Sequence, residues 1–301
     1  MDMFLLYTIP IYNLAIAVEY FYVRKKIPNS YFIKDTIASL SMGIGFLIIS
    51  GLCNIFVFKI FTFFNNYSLF QIPYALSAIV YGEKINWLVF LLLIFAEDFC
   101  YYWFHRISHI CRFFWCAHET HHSSVYYNFG TALRQTWLGS PFTWIFWAPL
   151  AILGFRAEDI LLQSALNLFY QFWVHTRLTK SFGAFDSIFN TPSHHRVHHG
   201  SDIAYLDKNY AGIFIIWDKI FKTFHPEDNE PIYGVLHPIR SFNPFIIGLH
   251  MLKELYLDIK SANQIRDKVK YLYKPPGWNH LGTGKISRDL QNEYYYKNLK
   301  K

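Results

Sequence analysis

Histidine is the residue type whose placement in this chain can do chemistry. Fourteen occur, and ten of them crowd into positions 105–199. His105 and His109 are four apart. His118, His121 and His122 form a triple at spacings of three and four, and His195, His198 and His199 repeat it. His194 stands one position ahead of the second triple, and His175 closes an apolar run. Positions three and four apart share a helix face, so each group can aim its imidazoles at one point. Imidazole is neutral near pH 7 and binds zinc and redox-active first-row metals. Eight imidazoles in the three groups exceed what one tetrahedral ion uses, which points to two metals.

A second pattern overlaps the first. His118-Glu119-Thr120-His121-His122 satisfies H-E-x-x-H, in which two histidines bind zinc and the glutamate is the base of a metalloprotease. That reading leaves most of the other clustered histidines without a role and is kept as a remote alternative. Glu97 and Asp98 lie inside an apolar run, where a charge is costly and marks a functional position. Asp98, Tyr102, His105 and His109 share one helical face, so Asp98 is expected to accept an N–H from a metal-bound imidazole and fix its tautomer. Glu97 points elsewhere and receives no role. His225, His237, His250 and His280 lack partners at ligand spacing.

The elements that must position these residues read as membrane helices. Of 301 residues, 53% are hydrophobic and only 16% charged, against about 25% in soluble domains. The net charge of +7 is scattered between apolar runs, so no basic stripe for nucleic acid forms. Residues 3–23 are long enough to span and lack the basic start and cleavage site of a signal peptide. A second apolar stretch covers 36–64 and a third runs from Trp87 to Phe104, straight into the first histidines. Residues 136–155 and 159–174 read as a hairpin that dips in and returns. Residues 210–224 suggest a short amphipathic helix, and the chain beyond about 275 a polar surface tail. Arg24, Lys25, Lys26 and Lys34 place the first loop in the cytoplasm, so the third span and the hairpin both deliver histidines to the cytoplasmic face. Cys53, Cys100, Cys111 and Cys116 lack CxxC spacing and fit small hydrophobes in a reducing compartment.

The expected fold is all-α: a polytopic integral-membrane protein of about four to five membrane helices, with a cytoplasmic helical cap holding a histidine-rich dimetal site. One domain is expected over 1–301, with N-terminal spans at 1–86, the histidine core at 87–224 and a cytoplasmic C-terminal region at 225–301.

HX3H, HX2HH and a later HX2HH after a hydrophobic hairpin resemble the fatty acid hydroxylase / sterol desaturase superfamily of membrane di-iron enzymes. Within it, WFHRISHICRFFWCAHETHHSSVYYNFGTALRQ (103–135) and NTPSHHRVHHGSDIAYLDKNYAGIFIIWDKIFKTF (190–224) are similar to the alkylglycerol monooxygenase branch, as are YGVLHPI (233–239) and KPPGW (274–278). The resemblance implies two Fe ions that activate O2 and insert oxygen into a lipid C–H bond. In that branch the carbon lies beside the ether oxygen of an alkylglycerol, which then breaks down to a fatty aldehyde and glycerol. Tetrahydrobiopterin, or another reductant, supplies the electrons. The alternative within the superfamily is a sterol or fatty-acid hydroxylase or desaturase fed by an electron-donor protein. The implied metal ligands are His105, His109, His118, His121, His122, His175, His194, His195, His198 and His199. The implied partners are a lipid substrate and the membrane, in the endoplasmic reticulum of a eukaryote or the inner membrane of a bacterium. Asn128, Arg134, Asp207, Asn209 and Asp218 lie in the branch-like runs and read first as caps, turns or ion-pair residues.

Overall fold

The computed structural model describes residues 2–298, with side chains from 7 to 297. Among them the architecture is all-helical. No strand forms, and only two isolated bridges occur, Phe189 with Phe214 and Gly200 with Tyr233.

Helix α1 covers Asp2–Val23 and α2 covers Ile33–Asn65. Helix α3 (Trp87–Ile110) starts where the Asn86 side chain accepts from Val89 N at 3.1 Å, a Ser/Asn-type cap on the first free N–H groups. Among the described residues, α2 and α3 are the helices long and apolar enough to cross a membrane. Both present Ile, Leu and Phe side chains outward, as does α1 with Leu14 and Val18. Such outward faces are stable only against lipid or a partner.

After α4 (Arg112–His122) the chain makes three short pieces, α5 (Phe129–Ala132), α6 (Ser140–Thr143) and α7 (Ala148–Leu153). Helix α8 (Ala157–Trp173) then returns. The expected hairpin is present in this form, with an outgoing arm broken into α6 and α7. Gly154 makes the corner at φ 116°, and a Cβ there would lie 2.1 Å from the Phe70 carbonyl, so only glycine fits. Asn65 at the end of α2 pins this corner, donating to Ala151 O (3.0 Å) and Phe155 O (2.8 Å) and accepting from Ala157 N (3.0 Å).

Helix α9 (Pro192–His198) carries the second histidine triple, and α10 is the short turn Ile216–Ile220. The C-terminal region is helical too, both before and within the polar surface tail expected beyond about 275. It forms α11 (Pro244–Ser261), α12 (Ile265–Tyr273) and α13 (Ser287–Asn298). Charged residues every few positions conceal these helices in the sequence, yet α11 packs along α4 with Leu255 and Ile247 buried.

Three buried charges lock the bundle. Arg134 is fully enclosed and pairs with Asp35 of α2, while also donating to Ser123 Oγ (2.9 Å) and Ser39 Oγ (3.2 Å). Glu19 of α1 accepts from Tyr31, Thr176 and the Phe129 N–H. Buried ions of this kind hold only when paired and hydrogen-bonded, as these are.

Candidate metal centre

Nine imidazoles converge in two adjoining groups. His105 and His109 of α3, His118 and His122 of α4, and His198 of α9 form the first; their ligand atoms all lie within 4.8 Å of one another. His121 of α4, His175 just past α8, and His195 and His199 at α9 form the second, to the same limit. The groups touch where the His122 and His199 rings stack at 4.3 Å. Helical spacing explains the split: His118 and His122 are one turn apart on α4, and His121 sits between them on an adjacent face.

The donor atoms are placed as ligands. In the first group Nε2 of His105 and His118 are 2.9 Å apart, His118 and His122 3.0 Å, and His122 and His198 3.1 Å. In the second, His121 and His175 are 3.1 Å apart, His175 and His195 3.0 Å, and His121 and His199 3.1 Å. Nitrogens held about 2.1 Å from one ion at right angles stand about 3.0 Å from each other.

The second nitrogen of several rings is engaged by a carbonyl, which can only accept. His105 Nδ1 donates to Tyr210 O (2.8 Å), His198 Nδ1 to Lys208 O (2.9 Å), His175 Nδ1 to Gln171 O (2.7 Å) and His121 Nδ1 to Arg134 O (3.3 Å). In His121 and His175 both Nδ1 atoms therefore carry the hydrogen, and two bare Nε2 lone pairs face each other. A cation between them turns that repulsion into coordination. His109 Nε2 is buried with no hydrogen-bond partner, and its Nδ1 lies 3.5 Å from Asp207 Oδ1. The donor set fits a pair of transition-metal ions.

Burial and neighbouring imidazoles hold His118, His122, His195, His198 and His199 well below the usual imidazole range, and burial brings His121 down to about 4. The rings are thus neutral at pH 7, the form that binds metal.

His194 stays outside both groups, a correction to the expected ligand set. Its Nδ1 faces Thr191 Oγ1 at 3.4 Å and its ring is edge-on to Phe224. On α9 it points about a quarter-turn away from His195, so chain adjacency to a ligand gave a false lead.

Asp98 also acts differently from expectation. It accepts from Ile213 N (2.6 Å), Phe214 N (3.0 Å) and Trp217 Nε1 (2.9 Å), not from an imidazole. Asp218 completes the clamp by accepting from Tyr210 N and Ala211 N, each at 2.8 Å. Burial pushes the Asp218 carboxyl up to about 6. Between them the two carboxylates fix the loop whose carbonyls at 208 and 210 orient His198 and His105. Gly212 permits the fit, since a Cβ there would lie 2.6 Å from Asp98 Oδ1. No local sequence signal marks this, because the loop lies more than a hundred positions beyond Asp98.

Glu119 turns away from the metal groups. It pairs with His250 of α11 at 3.1 Å, so the H-E-x-x-H glutamate is not placed as a base beside a zinc ion. Arg134 and Asn128 serve as an ion pair and a helix cap.

A cavity of about 440 Å³ reaches both groups. His118, His121 and His175 line its head, and Tyr12, Leu40, Leu133 and Phe104 line its walls. Val57 and Phe61 of the main apolar core, and Leu161 packed against that core, also line it. Ile9, Asn13 and the exposed Ile44 line it at the outer surface, where α1 and α2 pack on α5 and α8. Glu97 is the one carboxylate among the described lining residues, and Trp147 Nε1 (2.9 Å) and Asn167 Nδ2 (2.8 Å) satisfy it.

The described residues thus form an all-helical bundle with two apolar helices long enough to cross a membrane and two buried histidine groups that could hold metal beside an apolar cavity. Residues 90–223 match the model of the Fatty acid hydroxylase family. Alkylglycerol monooxygenase from Homo sapiens is 38% identical over 264 residues, 86% of this chain and 55% of that protein. The Danio rerio alkylglycerol monooxygenase is 45% identical over 192 residues, 64% of this chain and 42% of the relative. An ornithine lipid hydroxylase from Rhizobium tropici is 32% identical over 145 residues, 46% of this chain and 41% of that protein. The family match takes in less than half of this chain, and the chain spans about half the length of these relatives. No solved structure gives a significant match.

Proposed function

We propose that the chain holds two iron ions in its paired histidine groups and uses O2 to hydroxylate a lipid C–H bond, at the carbon beside the ether oxygen of an alkylglycerol. The product, a hemiacetal, breaks down to a fatty aldehyde and glycerol. Tetrahydrobiopterin or another two-electron reductant balances the second oxygen atom as water. Bound iron would supply the O2 activation; the chain's own residues supply binding, orientation and exclusion of water. The observation that carries the reading is the apolar cavity that ends on His118, His121 and His175. An alkyl chain lying along Leu40, Phe104 and Leu161 brings its polar end to the imidazoles. The mouth lined by Ile9, Asn13 and Ile44 suits delivery from the bilayer without passage through water.

Nine ligands are proposed, His105, His109, His118, His121, His122, His175, His195, His198 and His199, with Asp98 as a positioning residue. The proposed topology has α1, α2 and α3 crossing and the α6–α8 hairpin dipping into the bilayer, four to five membrane helices in all. Residues 1–301 are read as one unit, with the histidine cap on the cytoplasmic side, where Arg24, Lys25, Lys26 and Lys34 also lie. The membrane is that of the endoplasmic reticulum in a eukaryote or the inner membrane in a bacterium. The similarity to an ornithine lipid hydroxylase supports the broader reading of a lipid hydroxylase or desaturase fed by an electron-donor protein.

One experiment separates these. Iron-loaded protein in detergent is given an alkylglycerol, tetrahydrobiopterin and O2, and fatty aldehyde is measured. Aldehyde formation is expected. Its absence at full iron content, with turnover of a fatty acid or sterol and a protein donor, overturns the ether-lipid assignment.

A further inference from the structure

Helices α11 and α12 carry a pattern that the metal site does not use. On α11, Phe245, Leu249, Leu252 and Tyr256 recur at spacings of four, three and four, and all are exposed. They form one stripe along a helix about 27 Å long. Exposed Lys253 and Lys260 edge the stripe, while Ile247 and Leu255 on the opposite face are buried. Helix α12 repeats the arrangement: Ile265, Val269 and Leu272 are exposed in line, Arg266 and Lys268 flank them, and Tyr271 is buried behind.

Seven outward apolar side chains on two adjacent helices would make a costly patch in water. An apolar stripe edged by Lys and Arg is the pattern of a helix lying in the plane of a bilayer surface, where the cations meet anionic headgroups. The location agrees. Phe242, just before α11, packs on Phe32 at the start of α2 with ring centroids 5.3 Å apart. Phe245 meets Trp137, whose Nε1 donates to Met42 O of α2 at 3.0 Å. The stripe therefore continues the exposed apolar flank that α2 presents at Ile33 and Ile37.

The other face of α11 grips the ligand helix α4. Thr120 Oγ1 donates to Ile247 O (3.3 Å), Glu119 pairs with His250 (3.1 Å) and Arg112 pairs with Asp258 (2.5 Å). We propose that α11 and α12 form an in-plane platform that binds an anionic phospholipid surface and seats α4, with His118, His121 and His122, upon it. The proposal stands whichever lipid is oxidised.

The test uses the full chain in lipid nanodiscs, in a background with Cys53, Cys100, Cys111 and Cys116 changed to Ser. Leu252→Cys, Val269→Cys and, as a control off the stripe, Glu254→Cys are labelled with a fluorophore. Quenching by a lipid nitroxide placed near the headgroup is compared with quenching by aqueous iodide. Lipid quenching is expected at 252 and 269 and iodide quenching at 254. Exchange of phosphatidylglycerol for phosphatidylcholine, or removal of Lys253, Lys260, Arg266 and Lys268 by Gln, should lower the lipid quenching. Each cation near the surface is worth about fivefold in local binding. Iodide access at 252 equal to that at 254 overturns the proposal. Shielding from both quenchers overturns it in favour of a protein partner, and indifference to lipid charge overturns its anionic part.

Discussion

Asp98→Asn is the substitution that tests the clamp beneath the proposed metal site. The carboxylate holds two backbone N–H groups and the Trp217 indole at 2.6–3.0 Å. Asparagine keeps one acceptor oxygen and turns an NH2 group toward donors. Hydrogen bonds to a charged acceptor contribute roughly 1.5–3 kcal/mol each, so losing one or two costs roughly 1.5–6 kcal/mol of local structure. The damage is directional. The loop held by Asp98 supplies the carbonyls for His105 and His198, both in the five-histidine group, whereas His121 and His175 lean on Arg134 and Gln171. Loss of such an outer partner weakens metal binding about 10–100-fold. Metal per folded chain, measured on the monodisperse detergent peak by mass spectrometry, should fall from two toward one, with faster release to a chelator. Two retained ions with parental release kinetics would refute the reasoning. So would loss of both ions in step with thermal unfolding.

Further outcomes follow from the same geometry. His194→Ala should keep both metals, whereas alanine at any of the nine converging histidines should lower metal content; elemental analysis checks both. Burial holds His121 at about 4 and His118, His122, His195, His198 and His199 well below the imidazole range. Above about pH 6.5 these rings are neutral folded or unfolded, and below it the unfolded chain takes up protons first. Metal-free protein should therefore lose thermal stability as pH falls below about 6.5, and a flat melting temperature down to about pH 5 would contradict the buried, neutral rings. If the proposed reaction holds, Leu161→Phe should shift product toward shorter alkyl chains and Leu161→Ala toward longer ones, because Leu161 lines the apolar cavity and its size sets the room there; mass spectrometry of the aldehydes shows the direction. Glu119→Gln should leave metal content unchanged while destabilising the α4–α11 contact by about 1–3 kcal/mol, read by denaturant unfolding.

Much of the histidine arrangement was legible because spacings of three and four encode a helix face, whatever the rest of the fold does. His194 was misread because adjacency along the chain says nothing about direction; α9 turns it toward Thr191 and Phe224. Asp98 stands out in the sequence by its cost in an apolar run, but its partners come from a distant loop that no local pattern announces, so its contacts differ from those expected. The membrane-length apolar character of α2 and α3 is plain in the sequence despite Lys59, Glu97 and Asp98. Helices α11 and α12 are not plain, since Lys, Glu and Asp interrupt them every few residues and only the alternation of buried and exposed apolar positions reveals their two faces. The broken arm of the hairpin was also hidden, because Pro and Gly at its joints shorten the helices without changing its hydrophobicity.

The nine imidazoles are drawn from four separate parts of the polypeptide, and the proposed cation would join parts as remote as His121 and His175, whose Nε2 atoms stand 3.1 Å apart. In the proposed metal-bound protein the ions would tie these parts together and so stabilise only the closed arrangement. A cell starved of that metal is expected to clear newly made chains through its quality-control proteases instead of storing them empty. Protein abundance, and not activity alone, would then follow the metal supply.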